Sequence, residues 1–538
     1  MARRLPRKSS EWIDRSNRIK FRFENKEIMA FKGDSITSAL IANGEKILGR
    51  SFKYHRPRGF VSLANHDANV MLQSEDSTNI RADVTLAKNS QGDLRSINTF
   101  GGVRHDLTKI LGLFAPVLPV GFYYKAFFKP AFLWPYWEKL IRKLAGLGEV
   151  KPSYDKKRYP SQTLFCDILI IGGGAAGTAA AAHFSKSNFK VIVADENFKL
   201  GGSSSFDAEE ALKDIESNIE QLNTPNITCL TQHFASGYYD DKTVILEGPK
   251  GCKQVCAKAI ILASGAYEQP AVFRNNDLPC VVLGSSVARL AHRYSIDPFE
   301  KSIALVGNNI GFRRLLKLKS IGINIGCILQ LSGFETKEST RKQAESMGIE
   351  VVNEVIPIEA ISKGECLSSF VYRTVNDPSS KVIDCDGLIM SVGWSPASNL
   401  LVQAGGKLKY VEEINQLVPD KLPSGVFVAG MIRGIYDLEK RVRDGKQAAD
   451  ACEAYLEKRN APNAIQEGYE NQSHPYPIYS HPKGNEFVDL DEDLKLKDLV
   501  TGMKEGFDSI ELLKRYSTIG MGPSQGKISN LNGIRIVA

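Results

Sequence analysis

Cysteine is sparse and badly placed for chemistry in this sequence. The nine cysteines, at 166, 229, 252, 256, 280, 327, 366, 385 and 452, form neither a CxxC pair nor a spaced set of four. That excludes a dithiol redox motif and a cysteine-ligated zinc or iron–sulfur site of ordinary spacing. Cys252 and Cys256 are the only near neighbours and read as free thiols, which fit a reducing cytoplasm, the expected location. Long apolar runs are missing too. The uncharged, aromatic-rich run Ile110 to Tyr124 is shorter than a bilayer span and is broken by Pro116 and Pro119, so no membrane partner is expected. No apolar segment follows "MARRLPRKSS", so no secretory signal is expected, and Glu11 and Asp14 argue against an organellar leader. The net charge of +8 comes without a Lys/Arg block interleaved with aromatics, which excludes nucleic acid as an expected partner.

What is present is ordinary in bulk and specific in detail. With 43% hydrophobic and 24% charged residues, 538 residues can bury several cores, and the length suggests three or four domains. "RIKFRFENKEIMAF" alternates apolar and polar residues as a half-buried strand does, and "GDSITSALIANG" predicts a short capped helix. These place a β-rich domain at 1–107. Residues 108–160 are dense in aromatics and proline and read as a linker packed on other surfaces, its aromatics at 122–137 forming an interior or subunit contact. Strand–turn–helix texture from Cys166 to about 455 predicts parallel α/β sheets, with one dinucleotide domain from 161–275 plus 396–460 and a second Rossmann-like domain at 276–395. Residues 461–538 read as a connector and a small helical domain. His474 and His481 in the connector lack partners at ligand spacing, so no metal is expected.

"DILIIGGGAAGTAAAAHF" carries Gly172, Gly174 and Gly177 as GxGxxG between a buried strand and an Ala-rich helix. The three glycines suit a tight turn, close approach of backbone to pyrophosphate, and close helix–strand packing. The helix N-terminus supplies unpaired N–H groups for phosphate. The next strand, "KVIVADE", ends in Asp195 and Glu196, where an acid hydrogen-bonds an adenosine ribose and repels a 2′-phosphate. An ADP-containing dinucleotide, NAD or FAD rather than NADP, is therefore expected. "AKAIILASGAYEQP" brings a strand end to Gly265, and "LPSGVFVAGMIRG" matches the late segment that folds under the cofactor in two-dinucleotide flavoproteins. Flavin members of that superfamily usually place an Asp after the glycine to hold the ribityl chain. Here Met431 follows Gly430, and a thioether cannot take that role.

A second turn, "EKSIALVGNNIGFRRLL", keeps Gly307 and Gly311 but has Asn308 and Asn309 where a tight turn wants glycine. Its next strand reaches Gln330, neither the acid of an NAD site nor the arginine of an NADP site. It reads as a Rossmann half that has lost its dinucleotide.

"GRSFKYHRPRGF" at 49–60, "PVGFYYKAFFKPAFLWPYWEKLIRKLAGLG" at 119–148, "ADE" at 194–196 and "EFVDLDEDLKLKDLVTGMKEGFDSIELLKRYSTIGMGPSQGKISN" at 486–530 resemble the α (large) subunits of heterotetrameric sarcosine oxidases. N-methylglutamate dehydrogenase and opine oxidase large subunits share parts of the pattern. The resemblance implies an α/β fold with two Rossmann-like domains of the FAD/NAD-linked reductase type. It also implies an N-terminal ferredoxin-like β-grasp domain without cluster cysteines and a small C-terminal helical domain. It implies NAD in the FAD-like first site, held by Ala176, Asp195, Glu196 and Asn197 around adenosine, by Ser203 at the phosphates and by Ala235 at the adenine. Met431, Tyr436 and Leu438 would line the nicotinamide end. A β-type partner would hold FAD and an interfacial FMN, beside a small zinc-binding δ-type and a folate-associated γ-type subunit. No catalytic residue is expected in this chain. Family members continue past "GKISN" into a folate domain, whereas this sequence stops at Ala538, so tetrahydrofolate is expected on another chain if at all. His55, in the 49–60 motif, reads as part of a structural basic loop rather than as a flavin-phosphate ligand. Two rivals follow from the residues alone: a self-sufficient FAD-dependent NADH oxidoreductase, and a non-catalytic NAD-binding scaffold.

Overall fold

The run "CDILII" buries on both faces, as a central parallel strand must. Around it, in the computed structural model, the chain divides into two units. One comprises Met1–Tyr154, Glu268–Gly393 and His474–Ala538, the other Asp155–Tyr267 and Trp394–Ser473. The structure describes residues 3–8, 11–67, 70–89, 92–110, 112, 120, 129–144, 148, 150, 159, 161–206, 209–460 and 473–538.

In the second-named unit the described strands run Ile227–Thr231, Val191–Asp195, Gln162–Ile171 and Gly251–Leu262 side by side and parallel. An antiparallel pair, Thr243–Gly248 and Phe234–Tyr239, extends one side, and Val426–Val428 pairs parallel with Gly251–Leu262. The helix Ala175–His183 is almost entirely buried, and helix Leu438–Leu456 presses on it so closely that a Cβ at Gly445 would overlap the Ala176 carbonyl oxygen. Only alanine and glycine side chains permit that approach. Val191, Val193, Ile168, Ile170, Ile261 and Cys452 close the core beneath.

The other unit holds three parts. Lys26–Lys32, Asp14–Phe23, Asp93–Ser96, Met71–Gln73 and Ile80–Arg81 form a small sheet. It carries helix Ile36–Ala42, whose N-cap Ser35 accepts from the Ser38 N–H at 3.1 Å. A larger sheet orders Val281–Leu283, Gly387–Ser391, Ser302–Val306, Ile325–Leu331 and Glu350–Lys363 in parallel, then Cys366–Thr374 and Lys381–Asp384 antiparallel. Helices Leu496–Lys504, Ile510–Ser517 and Asn530–Val537 make the C-terminal part, with Leu499, Leu513 and Ile519 in its core. No described helix is long and apolar enough to cross a membrane.

The linker expected at 108–160 is described only in part. Within it Trp134–Leu144 is a helix, and Phe132 and Tyr136 are more than 70% exposed (73% and 72%) in the single chain, so these two are not interior and a subunit contact is the alternative left for them. Residues 121–128 of the aromatic stretch lie outside the described residues.

Candidate dinucleotide site

All the residues singled out for the first nucleotide site fall in one unit, and the strand ends bring most of them together. Gly172 closes strand Gln162–Ile171 with φ +101°, and its N–H donates to the Ala194 carbonyl at 2.8 Å. A Cβ there would overlap the Ala263 carbonyl oxygen, and one at Gly177 would overlap that of Gly172. These two glycines serve the fold of the turn. Gly174 differs: its nearest neighbour to an added Cβ is the Gly202 Cα at 4.0 Å, so its face is open. It is also the helix N-cap, with ordinary extended backbone at φ −78°. The first intrahelical bond joins Thr178 N to Gly174 O at 2.9 Å. The N–H groups of Ala175, Ala176 and Gly177 therefore have no intrahelical carbonyl and form the cradle an anion fits.

The acidic pair divides its labour. Asp195 is 7% exposed, and its carboxylate accepts from the Gly173 N–H at 2.7 Å, the Asn197 N–H at 2.8 Å and the Asn197 amide at 2.9 Å. Its negative charge ties the glycine turn to the end of the neighbouring strand. Asn197 is likewise committed to this tie rather than turned to a ligand by its amide. Glu196 is the exposed one, and with burial its carboxylate holds the Tyr267 phenol above its ordinary range. The chain then passes Gln232 and His233, whose N–H groups donate to Asn197 O at 2.8 Å and Asp195 O at 2.9 Å, and enters the strand carrying Ala235.

The late segment closes the site from the other side. Gly430, at φ +83°, lies over Ala176, where its own Cβ would come 2.9 Å from that of Ala176. Its N–H donates to Asp444 at 2.6 Å, and Asp444 also pairs with Arg433. The Met431 sulfur sits 3.8 Å from Ser203 Oγ and 3.9 Å from Arg441 Nη1. Leu438 packs with Ala175 and Ile215, against the start of the nucleotide helix. Gly265 accepts from Ala397 N at 3.0 Å at its strand end. Tyr436 is buried with its hydroxyl donating to Gln416 at 2.6 Å and its ring 5.6 Å from Trp394, a packing position. Asp444 and Gly445 were not foreseen. A "DG" inside a long helix was their one signal, since a helical glycine often marks a close approach.

The second turn, in the other unit, is filled by its own side chains. Asn308 is fully buried; its carboxamide accepts the Gly311 N–H at 2.7 Å and donates to Ser391 O at 3.0 Å. That bond takes one of the donors a phosphate would use. His474 lies against Gly307, whose added Cβ would stand 2.9 Å from the His474 Cβ. The imidazole is oriented by Tyr476 N–H donating to Nδ1 at 3.2 Å, so Nε2–H donates to Ser332 O at 2.9 Å. Burial keeps it neutral. Gln330 is also turned inward, donating to Phe334 O at 2.6 Å.

His55 resolves as a structural group of the 49–60 motif: its Nδ1 lies 3.1 Å from Asp106 and 2.9 Å from Thr108 Oγ1, with the ring buried. His481 pairs within its own turn, its Nδ1 accepting from Lys483 N at 3.1 Å. No cluster of metal-ligating side chains occurs among the described residues.

Comparison with known proteins agrees with this geometry. Residues 166–468 match the family described as pyridine nucleotide-disulphide oxidoreductase, 483–538 the sarcosine oxidase A3 domain, and 16–90 the 2Fe-2S iron-sulfur cluster binding domain. The last match contains no cysteine, so it offers no thiolate to a cluster. Sarcosine oxidase subunit alpha of Rhizobium meliloti (strain 1021) is 30% identical over 99% of the chain, and that of Corynebacterium sp. (strain P-1) 27% over 99%. The chain spans about half the length of these relatives, 56% and 55%. Among solved structures, L-proline dehydrogenase from P. horikoshii superposes with a TM-score of 0.68 at 20% identity, covering 97% of this chain and 92% of that one, and so shares the fold.

Proposed function

The chain belongs to the pyridine nucleotide-disulphide oxidoreductase family, and from that premise we propose that it is the large subunit of a heteromeric, sarcosine-oxidase-like flavoenzyme. In this reading it holds one NAD in the first site and contributes to an FMN site shared with a partner. A β-type FAD subunit carries out the oxidative demethylation of a secondary N-methyl amine, sarcosine or a relative of it. Small δ-type and γ-type subunits complete the assembly.

The observation that carries the reading is a phosphate cradle with Glu196 at its ribose end and Met431 where a ribityl chain needs an acceptor. Glu196, not Asp195, is the ribose ligand, because Asp195 already serves the turn. A carboxylate there favours an unphosphorylated adenosine ribose. The second turn is a poorer pyrophosphate cradle, since Asn308 takes the Gly311 N–H and His474 covers Gly307.

The test is to denature the purified chain and identify what it releases by chromatography and mass. One NAD per chain with no flavin is expected; stoichiometric FAD would make the chain a flavin reductase in its own right. Glu196→Ala is expected to weaken NAD binding at least tenfold, read as a rise in Kd, as the loss of a charged hydrogen bond implies.

A further inference from the structure

Helix Leu438–Leu456 carries a buried cation to the first site. Leu438, Arg441 and Gly445 stand at i, i+3 and i+7 and so share one helix face. At one end of that face Leu438 packs with Ala175. At the other, Gly445 lies so close to the nucleotide helix that an added Cβ would overlap the Ala176 carbonyl oxygen. Arg441, between them, is turned toward the start of that helix and is 5% exposed. Its Nε leans on the Asp437 carbonyl at 3.4 Å, and its Nη1 lies 3.9 Å from the Met431 sulfur, itself 3.8 Å from Ser203 Oγ. Next to Ser203, Gly202 touches the turn: a Cβ added there would stand 2.9 Å from the Gly174 Cα. Two side chains thus link the guanidinium to the open face of the cradle.

The charge balance says what a cation does there. The N-terminus of helix Ala175–His183 supplies only about half a positive charge. A dinucleotide's pyrophosphate is doubly anionic at neutral pH. Asp195, buried at the end of the next strand, and Glu196 beside it add negative charge on the same side. Helix end and ligand alone would leave this site strongly negative, and an anion taken out of water needs a counter-charge. Arg433, the other arginine of the late segment, is 33% exposed at its side chain and is paired with Asp444. Arg441 is the buried one, and a planar guanidinium suits two phosphate oxygens at once. Met431 beside it is uncharged and does not compete with phosphate, as an aspartate would.

We propose that Arg441 is the counter-ion of the dinucleotide's pyrophosphate. The inference rests on the reading of the first site as a dinucleotide site. It adds a residue that the glycine turn and the acidic strand end do not announce, since Arg441 lies far along the chain from both. It also gives the site a preference by ligand class: diphosphates such as NAD and ADP-ribose gain the contact, and adenosine does not.

The test is isothermal titration of NAD, ADP-ribose and adenosine into the purified full chain after charcoal has removed bound nucleotide. Arg441→Gln should raise the Kd for NAD and for ADP-ribose about tenfold or more, as loss of a charged hydrogen bond implies, and leave that for adenosine within about twofold. Arg441→Lys keeps the charge and should stay within about threefold of the parent for all three ligands. Met431→Asp, which keeps Arg441 and sets a competing carboxylate beside it, should repeat the Arg441→Gln pattern. Equal weakening of all three ligands in Arg441→Gln would assign the side chain to packing and overturn the proposal, as would an unchanged Kd for ADP-ribose in either variant. A parent that binds neither NAD nor ADP-ribose overturns the reading of the site itself. Uptake of FAD in place of NAD overturns only the choice of NAD, because FAD carries the same pyrophosphate and Arg441→Gln should weaken it equally.

Discussion

Gly177→Ala is expected to yield protein without bound nucleotide and with an unfolding midpoint well below that of the parent. The added Cβ would lie inside van der Waals contact of the Gly172 carbonyl oxygen, and the Ala263 side chain stands 3.3 Å away on the same side. Both obstacles belong to strand ends bonded into the sheet, so the helix must move instead. Overpacking of this kind costs about 1–3 kcal/mol or more. The movement also displaces the Ala175–Gly177 N–H groups from any phosphate. Gly174→Val separates the two effects. Its Cβ meets open space, so the fold should lose only about 1 kcal/mol at the helix N-cap, yet the side chain stands where a pyrophosphate must approach. Nucleotide content by chromatography and urea midpoints read together decide the matter. Loss of nucleotide in both variants, with a large midpoint shift only in Gly177→Ala, is the expected pattern. Retention of nucleotide in Gly174→Val would place the ligand elsewhere.

The glycine turn was legible because its constraints are local: turn, cradle and packing each act over a few residues. The same holds for the capped helix at Ile36, whose spacing and cap are short-range signals. The division between Asp195 and Glu196 was not legible, since adjacent carboxylates look alike until the strand end turns one inward and leaves one exposed. The second turn was read as eroded from Asn308, Asn309 and Gln330. That His474 covers Gly307 could not be foreseen, because only the tertiary fold brings the connector back to that strand end.

The motif at 49–60 gives the largest stability effect expected from one residue. Asp277 is buried and accepts from Arg56 Nε at 2.6 Å and Nη2 at 2.8 Å, and it pairs as well with Arg58, which itself bridges to Asp493. The Phe487 ring lies 5.2 Å and 5.4 Å from the two guanidiniums. Burial alone would raise the Asp277 pKa, but Arg56 and Arg58 outweigh it and hold the carboxyl down to about 2. Removing the carboxylate leaves Arg58, 1% exposed at its side chain, with half its charge partners, and Arg56 with none of its carboxylate bonds. Asp277→Ala is therefore expected to cost about 3–5 kcal/mol, the range for breaking a buried pair from one side. Asp277→Asn, nearly equal in volume, should lose a large part of that, which assigns the effect to charge rather than to a cavity. By contrast Lys20→Ala, at a pair in which both side chains are over 60% exposed (61% and 62%), should stay within about 0.5 kcal/mol. The pH dependence follows from the sign of the shift. Since the folded pKa lies below the unfolded one, the contribution is complete above about pH 4 and is lost as the pH falls through about 2. Urea midpoints measured from pH 7 to pH 2 should therefore fall in the parent below about pH 4 and approach those of Asp277→Asn near pH 2. Parallel curves for the two proteins would mean that the carboxylate is not what holds Arg56 and Arg58 in place.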